Sequence, residues 1–271
     1  MKNYEIVIGL ETHIQLNTNT KIFCSCKADS WESEPNTNIC PVCSGLPGVL
    51  PVLNEEAVRK GALLAAAMHA EINPRSFFDR KNYFYPDLPK GYQITQFDEP
   101  IGKGGYLDLD MLDGSTRRVH IHKLHLEEDA GKLIHDPIRG DTMIDYNRCG
   151  VPLIEIVTRP DLQTAEEVRL FLEKLKRILS YIGISDCKMQ EGSLRADVNL
   201  SVKPAGSAAL GVRTEMKNMN SFRAISRAIE REAGRQIQLL ERGGQVVQET
   251  RRWDDERGES TAMRSKEDAH D

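Results

Sequence analysis

The sequence predicts an α+β fold, a mostly antiparallel sheet packed on helices. Three observations carry that prediction. Several segments alternate apolar and polar residues at period two, others repeat apolar residues at helical spacing between capping signals, and no βαβ unit is evident. The 271 residues, 39% of them hydrophobic, suffice for a packed core.

The first strand runs from Tyr4 to Leu16. Its even positions Tyr4, Ile6, Ile8, Leu10, Ile14 and Leu16 are apolar, and its odd positions end in Glu11, His13 and Gln15. Period two sets the Glu11 carboxylate and the His13 imidazole side by side on one face. Such a pair suits metal ligation, acid/base work or a solvated edge, and the strand alone leaves all three open. A cysteine-bearing loop follows, and then a helix that Asn54 caps and that runs to about Ala70. Residues 77–105 are too aromatic for a flexible linker and too broken for a helix, which predicts an ordered loop.

In "KLHLEEDAGK", Leu124 and Leu126 facing the core leave His125 and Glu127 on the other face, while Glu128 begins a turn; alternation does not choose between Glu127 and Glu128. In "GVPLIEIVTRP", Glu155 interrupts an apolar run, where a carboxylate needs a cation or hydrogen bonds to be tolerated. Thr164 and Glu167 form a capping box for a helix whose apolar stripe is Val168, Leu172, Leu175, Leu179 and Ile182, with Gly183 as its stop. The strand at 191–202 has Leu194, Ala196, Val198, Leu200 and Val202 on one face and Arg195, Asp197 and Asn199 on the other. A short small-residue turn leads to 212–218, making an antiparallel hairpin that adds Glu215 and Lys217. A last helix spans Ser221 to about Glu241.

Joined in one sheet, these strands make a charged floor over helices. Glu11, His13, Glu191, Asp197, Asn199, Glu215 and Lys217 match ligands for divalent cations and phosphate better than a solubilising Lys/Glu surface does. From their shared face, Arg195, Asp197, Asn199, Glu215 and Lys217 are candidate nucleotide and phosphate contacts.

Cys24, Cys26, Cys40 and Cys43 form C-x-C-x13-C-x2-C, within a loop of about 22–45. Four thiolates suit structural tetrahedral zinc and leave no open position for chemistry. A redox "CPVC" is the competing reading, but it prefers a βαβ setting. Cys149 and Cys187 read as free thiols.

The net charge of −5 argues against binding nucleic acid through bulk electrostatics. With no leader segment and no long apolar run, the expectation is a soluble cytoplasmic protein that makes no membrane contact. There is no Walker-type phosphate loop, no dinucleotide fingerprint and no nucleophile elbow, so a nucleotide would bind on a sheet. Arg223, Arg227, Arg231 and Arg235 recur every four residues on the last helix. The interspersed Glu230 and Glu232 favour a salt-bridged face over a phosphate track.

The strings "VIGLETHIQL", "FDRKNYFYPDLPKGYQITQFDEPI", "LHLEEDAGK", "VPLIEIVTRPD", "SDCKMQEGSLRADVNLSV" and "MKNMNSF" resemble the B-subunit family of bacterial glutamyl/aspartyl-tRNA amidotransferases over nearly the whole chain. The resemblance implies a glutamine-synthetase-like catalytic (cradle) domain over 1–271. It also implies that the family's helical and tRNA-binding tail domains, which follow a phrase like "EDAHD", are absent from this chain. The implied activity is a glutamine-hydrolysing ligase, in which ATP and Mg2+ serve to phosphorylate the side-chain carboxylate of Glu-tRNA(Gln) or Asp-tRNA(Asn). Ammonia from the A subunit, which is an amidase, then gives the amide, and the heterotrimer is completed by a small C subunit. Glu11, His13, Glu128 and Glu155 map onto the family's catalytic magnesium site, and Lys81, Tyr83 and Glu128 onto its ammonia channel. Two alternatives from other classes are a small-molecule carboxylate-amine ligase and a non-catalytic zinc-bearing RNA-binding subunit.

Overall fold

The computed structural model describes residues 4–136 and 138–263; the "EDAHD" phrase lies outside them. In chain order the first elements are β1 (Tyr4–Gln15), α1 (Glu55–Ala67), β2 (Glu71–Ile72), β3 (Asp79–Asn82), β4 (Tyr92–Thr95) and β5 (Gly102–Lys103). The middle of the chain forms β6 (Tyr106–Asp110), β7 (Thr116–Glu128), β8 (Lys132–His135), β9 (Thr142–Asp145) and β10 (Pro152–Thr158). It continues through α2 (Ala165–Tyr181), β11 (Leu194–Pro204), β12 (Thr214–Lys217), α3 (Phe222–Glu241), β13 (Glu249–Asp254) and β14 (Glu259–Ala262).

One large sheet runs β14-β13-β12-β11-β1-β10-β7-β5-β2, with β6 also paired to β7. Its pairings are antiparallel except β12 with β13. The fold is therefore α+β with a mostly antiparallel sheet, as the alternation predicts. The β11–β12 hairpin forms as expected, with Asn199 opposite Glu215.

The inner face of the sheet carries Ile8, Leu10, Ile14, Leu124, Leu126, Ile154, Ile156, Val198, Leu200 and Met216, all nearly or fully buried. Phe171, Leu172, Leu175 and Leu179 of α2 and Ala224, Ile225, Ala228 and Ile229 of α3 belong to the same core. Each large apolar side chain buried there contributes about 1.5–3 kcal/mol relative to exposure. Because every one of these strands has a wet face and a dry face, a one-residue slip would put its charges into the core; burial thus locks the register.

Side chains cap the N-termini of all three helices, at Asn54 and Thr164 as predicted. Asn54 accepts from the Glu56 amide at 2.9 Å, Thr164 from Glu167 at 3.1 Å and Ser221 from Ala224 at 3.0 Å. Glu167 reaches back one residue further than a capping box, to the Gln163 amide at 2.6 Å. Gly183 takes φ +68° just past the α2 C-cap, where a side chain would be strained.

The aromatic segment departs from the loop expectation. It contains the β3–β4 hairpin, with Asp79 opposite Thr95, and β5 at the sheet. Strands of two to four residues are too short to print a period, so alternation does not reveal them. β14 is hidden for the same reason, and β13, ETRRWD, offers only Trp253 as a large apolar residue, which is almost fully buried. Among the described residues no helix is long and apolar enough to cross a membrane.

Candidate active site on the polar sheet face

β1 is central, and register brings the chemistry-bearing residues of its neighbours onto one face. His13 lies opposite Glu155 of β10 and Arg195 of β11, Glu11 lies opposite Asp197, and Glu155 lies opposite His125 of β7. Among the described residues, two groups on this face bring ligand atoms within 4.8 Å of one another: His13, Glu127 and Glu155, and Glu11, Asp197 and Glu215.

In the first group His13 Nε2 stands 3.4 Å from Glu155 Oε2 and 3.8 Å from Glu127 Oε1. His125 Nε2 approaches the same carboxylates, 3.1 Å from Glu155 and 3.3 Å from Glu127. Burial opposes the imidazolium of His125, yet the Glu127 and Glu155 carboxylates outweigh it and push its pKa up to about 9. His13 is raised in the same way, against burial, chiefly by Glu155. Glu155 is itself held well below the usual carboxylate range, the two histidines overcoming its desolvation. One imidazole and two carboxylates with ligand atoms within 4.8 Å of one another suit a divalent cation of magnesium or manganese type.

The four expected residues Glu11, His13, Glu128 and Glu155 do not converge in one cluster. Glu127 joins His13 and Glu155, while Glu128, one residue further along β7, pairs with Lys90. Glu11 belongs to the second group, two residues along β1. There Asn199 Nδ2 donates to Glu11 at 2.9 Å, and Lys217 Nζ lies 2.5 Å from Asp197 and 2.9 Å from Glu215. Thr250 of β13 donates to Glu215 at 2.7 Å. Burial disfavours the Lys217 ammonium, but Asp197 and Glu215 hold its pKa above the usual lysine value.

Arg195 reaches Asp129 rather than either group. Its Nη2 is 3.0 Å from both Asp129 oxygens, Gln15 Nε2 donates to the same carboxylate at 2.8 Å, and Arg148 Nε stands 3.7 Å away. Despite full burial, Asp129 stays below its ordinary pKa because Arg148 and Arg195 flank it. A guanidinium is thereby fixed at the register position opposite His13.

Glu128 pairs with Lys90 and accepts from the Ile94 amide at 2.9 Å. Both side chains are buried, and burial is the main cause of the raised Glu128 pKa. They line a cavity of about 220 Å³ with Lys21, Phe23, Cys43 and Ile94. Lys81 lies with its Nζ 5.8 Å from the centre of the Tyr83 ring. Burial first, then the charges of Asp87, Glu127, Asp129 and Glu128, push the Tyr83 phenol up to about 12.

The four loop cysteines also converge within 4.8 Å. Cys40 and Cys43 sulfurs are 3.8 Å apart, which is the edge of a tetrahedron with metal–sulfur bonds of about 2.3 Å. The "CPVC" turn closes through the Ser44 amide to the Cys40 carbonyl at 3.0 Å, and the Cys40 amide donates to Cys43 Sγ at 3.2 Å. Residues and spacing fit structural zinc.

A family model described as "GatB/GatE catalytic domain" matches residues 6–271. The chain belongs to the GatB/GatE catalytic domain family. It is 60% identical over 268 residues to the B subunit of the aspartyl/glutamyl-tRNA(Asn/Gln) amidotransferase of Caldicellulosiruptor saccharolyticus, covering 99% of this chain and 55% of that relative. Relatives with the same name from Lachnoclostridium phytofermentans and Carboxydothermus hydrogenoformans are 58% and 55% identical, each covering 100% of this chain and 56% of the relative. The chain thus spans little more than half the length of the curated relatives it matches.

Within this GatB/GatE domain three of the four α3 arginines are paired. Arg227 pairs with Asp255 at 2.7 Å, Arg231 with Glu259 at 3.4 Å and Arg235 with Glu232 at 2.7 Å. Residues that the geometry adds to the expected set are Glu127, His125, Asp129 and Lys90. Alternation marks the first two as sharing the polar face; Asp129 and Lys90 sit in turns that carry no periodic signal.

Proposed function

We propose that this GatB/GatE domain activates the side-chain carboxylate of Glu-tRNA(Gln) or Asp-tRNA(Asn) with ATP, preparing it for amidation by ammonia. The observation that carries this reading is the pair of ligand groups on one sheet face, flanked by Arg195 and Lys217. Their strand positions, Glu11 and His13, are two residues and about 7 Å apart, a span that a polyphosphate bridges. Phosphoryl transfer to a carboxylate brings two anions together, so it demands fixed positive charge and positioning more than covalent help from the protein.

His13, Glu127 and Glu155 would hold one magnesium ion, and Glu11, Asp197 and Glu215 a second. Bound magnesium supplies neutralisation of phosphate charge and Lewis acidity. Arg195, oriented by Asp129, holds a non-bridging phosphate oxygen. Lys217, between Asp197 and Glu215, adds positive charge at the other end, and Asn199 keeps Glu11 in its ligating orientation. Lys81, Tyr83 and the Glu128–Lys90 pair belong, in this reading, to the route by which ammonia arrives from the amidase, the A subunit; a small C subunit is the third member of the assembly. The names of the relatives support tRNA-linked substrates.

The test uses the complete complex and measures phosphate release from ATP with misacylated tRNA, uncharged tRNA and free glutamate in turn. Turnover with misacylated tRNA alone supports the reading. Equal stimulation by free glutamate would favour a small-molecule ligase, and no turnover under any condition a non-catalytic RNA-binding subunit.

A further inference from the structure

Lys21 is fully buried, with no exposed side-chain surface. Its Nζ donates to the Asn38 carbonyl at 2.9 Å and to Cys43 Sγ at 3.6 Å, and it forms no ion pair with a carboxylate among the described residues. A buried ammonium without an anion costs far more than one carbonyl hydrogen bond returns. The anion it requires is close at hand. Four thiolates around one divalent cation carry a net charge of −2, and Cys43 is the sulfur that Lys21 touches.

We infer that Lys21 is the built-in counter-charge and outer hydrogen-bond donor of a tetrathiolate metal centre, acting on the metal through Cys43. The inference rests on the zinc reading of the cysteine loop and is independent of the proposed activity. The position of Lys21 follows from the loop's own closure. Its amide bonds the Cys26 carbonyl at 2.9 Å, and Ile22 next to it bonds the Gly150 carbonyl at 2.8 Å, so the backbone delivers the side chain beneath the sulfurs. Cys43 then receives two N–H donors, from Cys40 and Lys21, which lowers the charge it presents and strengthens retention of the metal. The Lys21 to Cys43 contact makes Lys21 a positioning residue, not a ligand.

Two measurements on the whole chain test this. Zinc release to a chelator and the sulfur-to-cobalt charge-transfer band of the cobalt-substituted protein are compared for the parent, Lys21→Met and Lys21→Arg. Lys21→Met should release zinc roughly 10- to 100-fold faster and move the band to lower energy, and Lys21→Arg should stay nearer the parent. The second measurement needs no variant: an amine-labelling reagent should leave Lys21 unmodified in zinc-loaded parent protein and modify it after chelation, when the anionic cluster is gone. Parent protein that contains no zinc and gives no tetrathiolate cobalt spectrum would overturn the zinc reading and the inference with it. Zinc-loaded parent with Lys21→Met unchanged in release and spectrum, or with Lys21 labelling indifferent to chelation, would overturn the role of Lys21 alone.

Discussion

His13 of β1 and Glu155 of β10 are register partners whose Nε2 and Oε2 atoms stand 3.4 Å apart on the polar face of the sheet. That contact explains a carboxylate inside the apolar run "LIEIV". Glu155 faces away from the core that its neighbours Ile154 and Ile156 fill, and two imidazoles, His13 and His125, meet it there.

The first prediction follows from that contact. Glu155→Gln keeps the shape and removes the charge, so manganese affinity measured by electron paramagnetic resonance should fall by more than the roughly 10- to 100-fold typical of losing an outer partner. Secondary structure by circular dichroism should be retained. Unaltered manganese binding would remove Glu155 from the site.

Adjacent glutamates on β7 should behave differently. Glu127→Gln should weaken manganese binding and leave the fold intact. Glu128→Gln breaks a buried pair with Lys90 and should cost about 3–5 kcal/mol of unfolding free energy, with manganese affinity near the parent's. Denaturant melts and metal titrations of the two variants check both halves, and a loss of metal affinity confined to Glu128→Gln would reverse the assignment.

A third prediction concerns pH and lies away from the site. Glu232 is fully buried; burial alone would raise its pKa, but hydrogen bonds from Arg235, Gln236 and Thr214 keep it below the usual glutamate value near 4.5. A depressed folded-state pKa contributes stability that is fully present above that usual value and is lost as pH falls through the folded value. Glu232→Gln should therefore be less stable than the parent by about 2 kcal/mol at pH 7, since Arg235 is partly exposed and screened. The gap should close as acid unfolding is approached; a gap independent of pH would contradict the assignment.

Much of this site is legible in the sequence because a half-buried strand writes its faces into it. Glu11, His13, Arg195, Asp197, Asn199, Glu215 and Lys217 group by parity alone, and β1, β11 and β12 are neighbours in the sheet. Parity also places Glu127 with His125, and the two side chains stand 3.3 Å apart. What parity does not carry is which charge meets which across long separations. Arg195 finds Asp129 across 66 residues, and Lys90 finds Glu128 from an aromatic segment whose strands are too short to show a period. Lys21 is hidden for another reason: its burial exists only once the cysteine loop has closed over it.

The central claim is that two cation sites share this face, one at His13, Glu127 and Glu155 and one at Glu11, Asp197 and Glu215. Crystals grown with manganese and a non-hydrolysable ATP analogue would test it through anomalous difference density. The account predicts one peak within each group and phosphate density reaching Arg195 and Lys217. Manganese coordinated by Glu128, or an analogue bound with its phosphates away from β1, would contradict it.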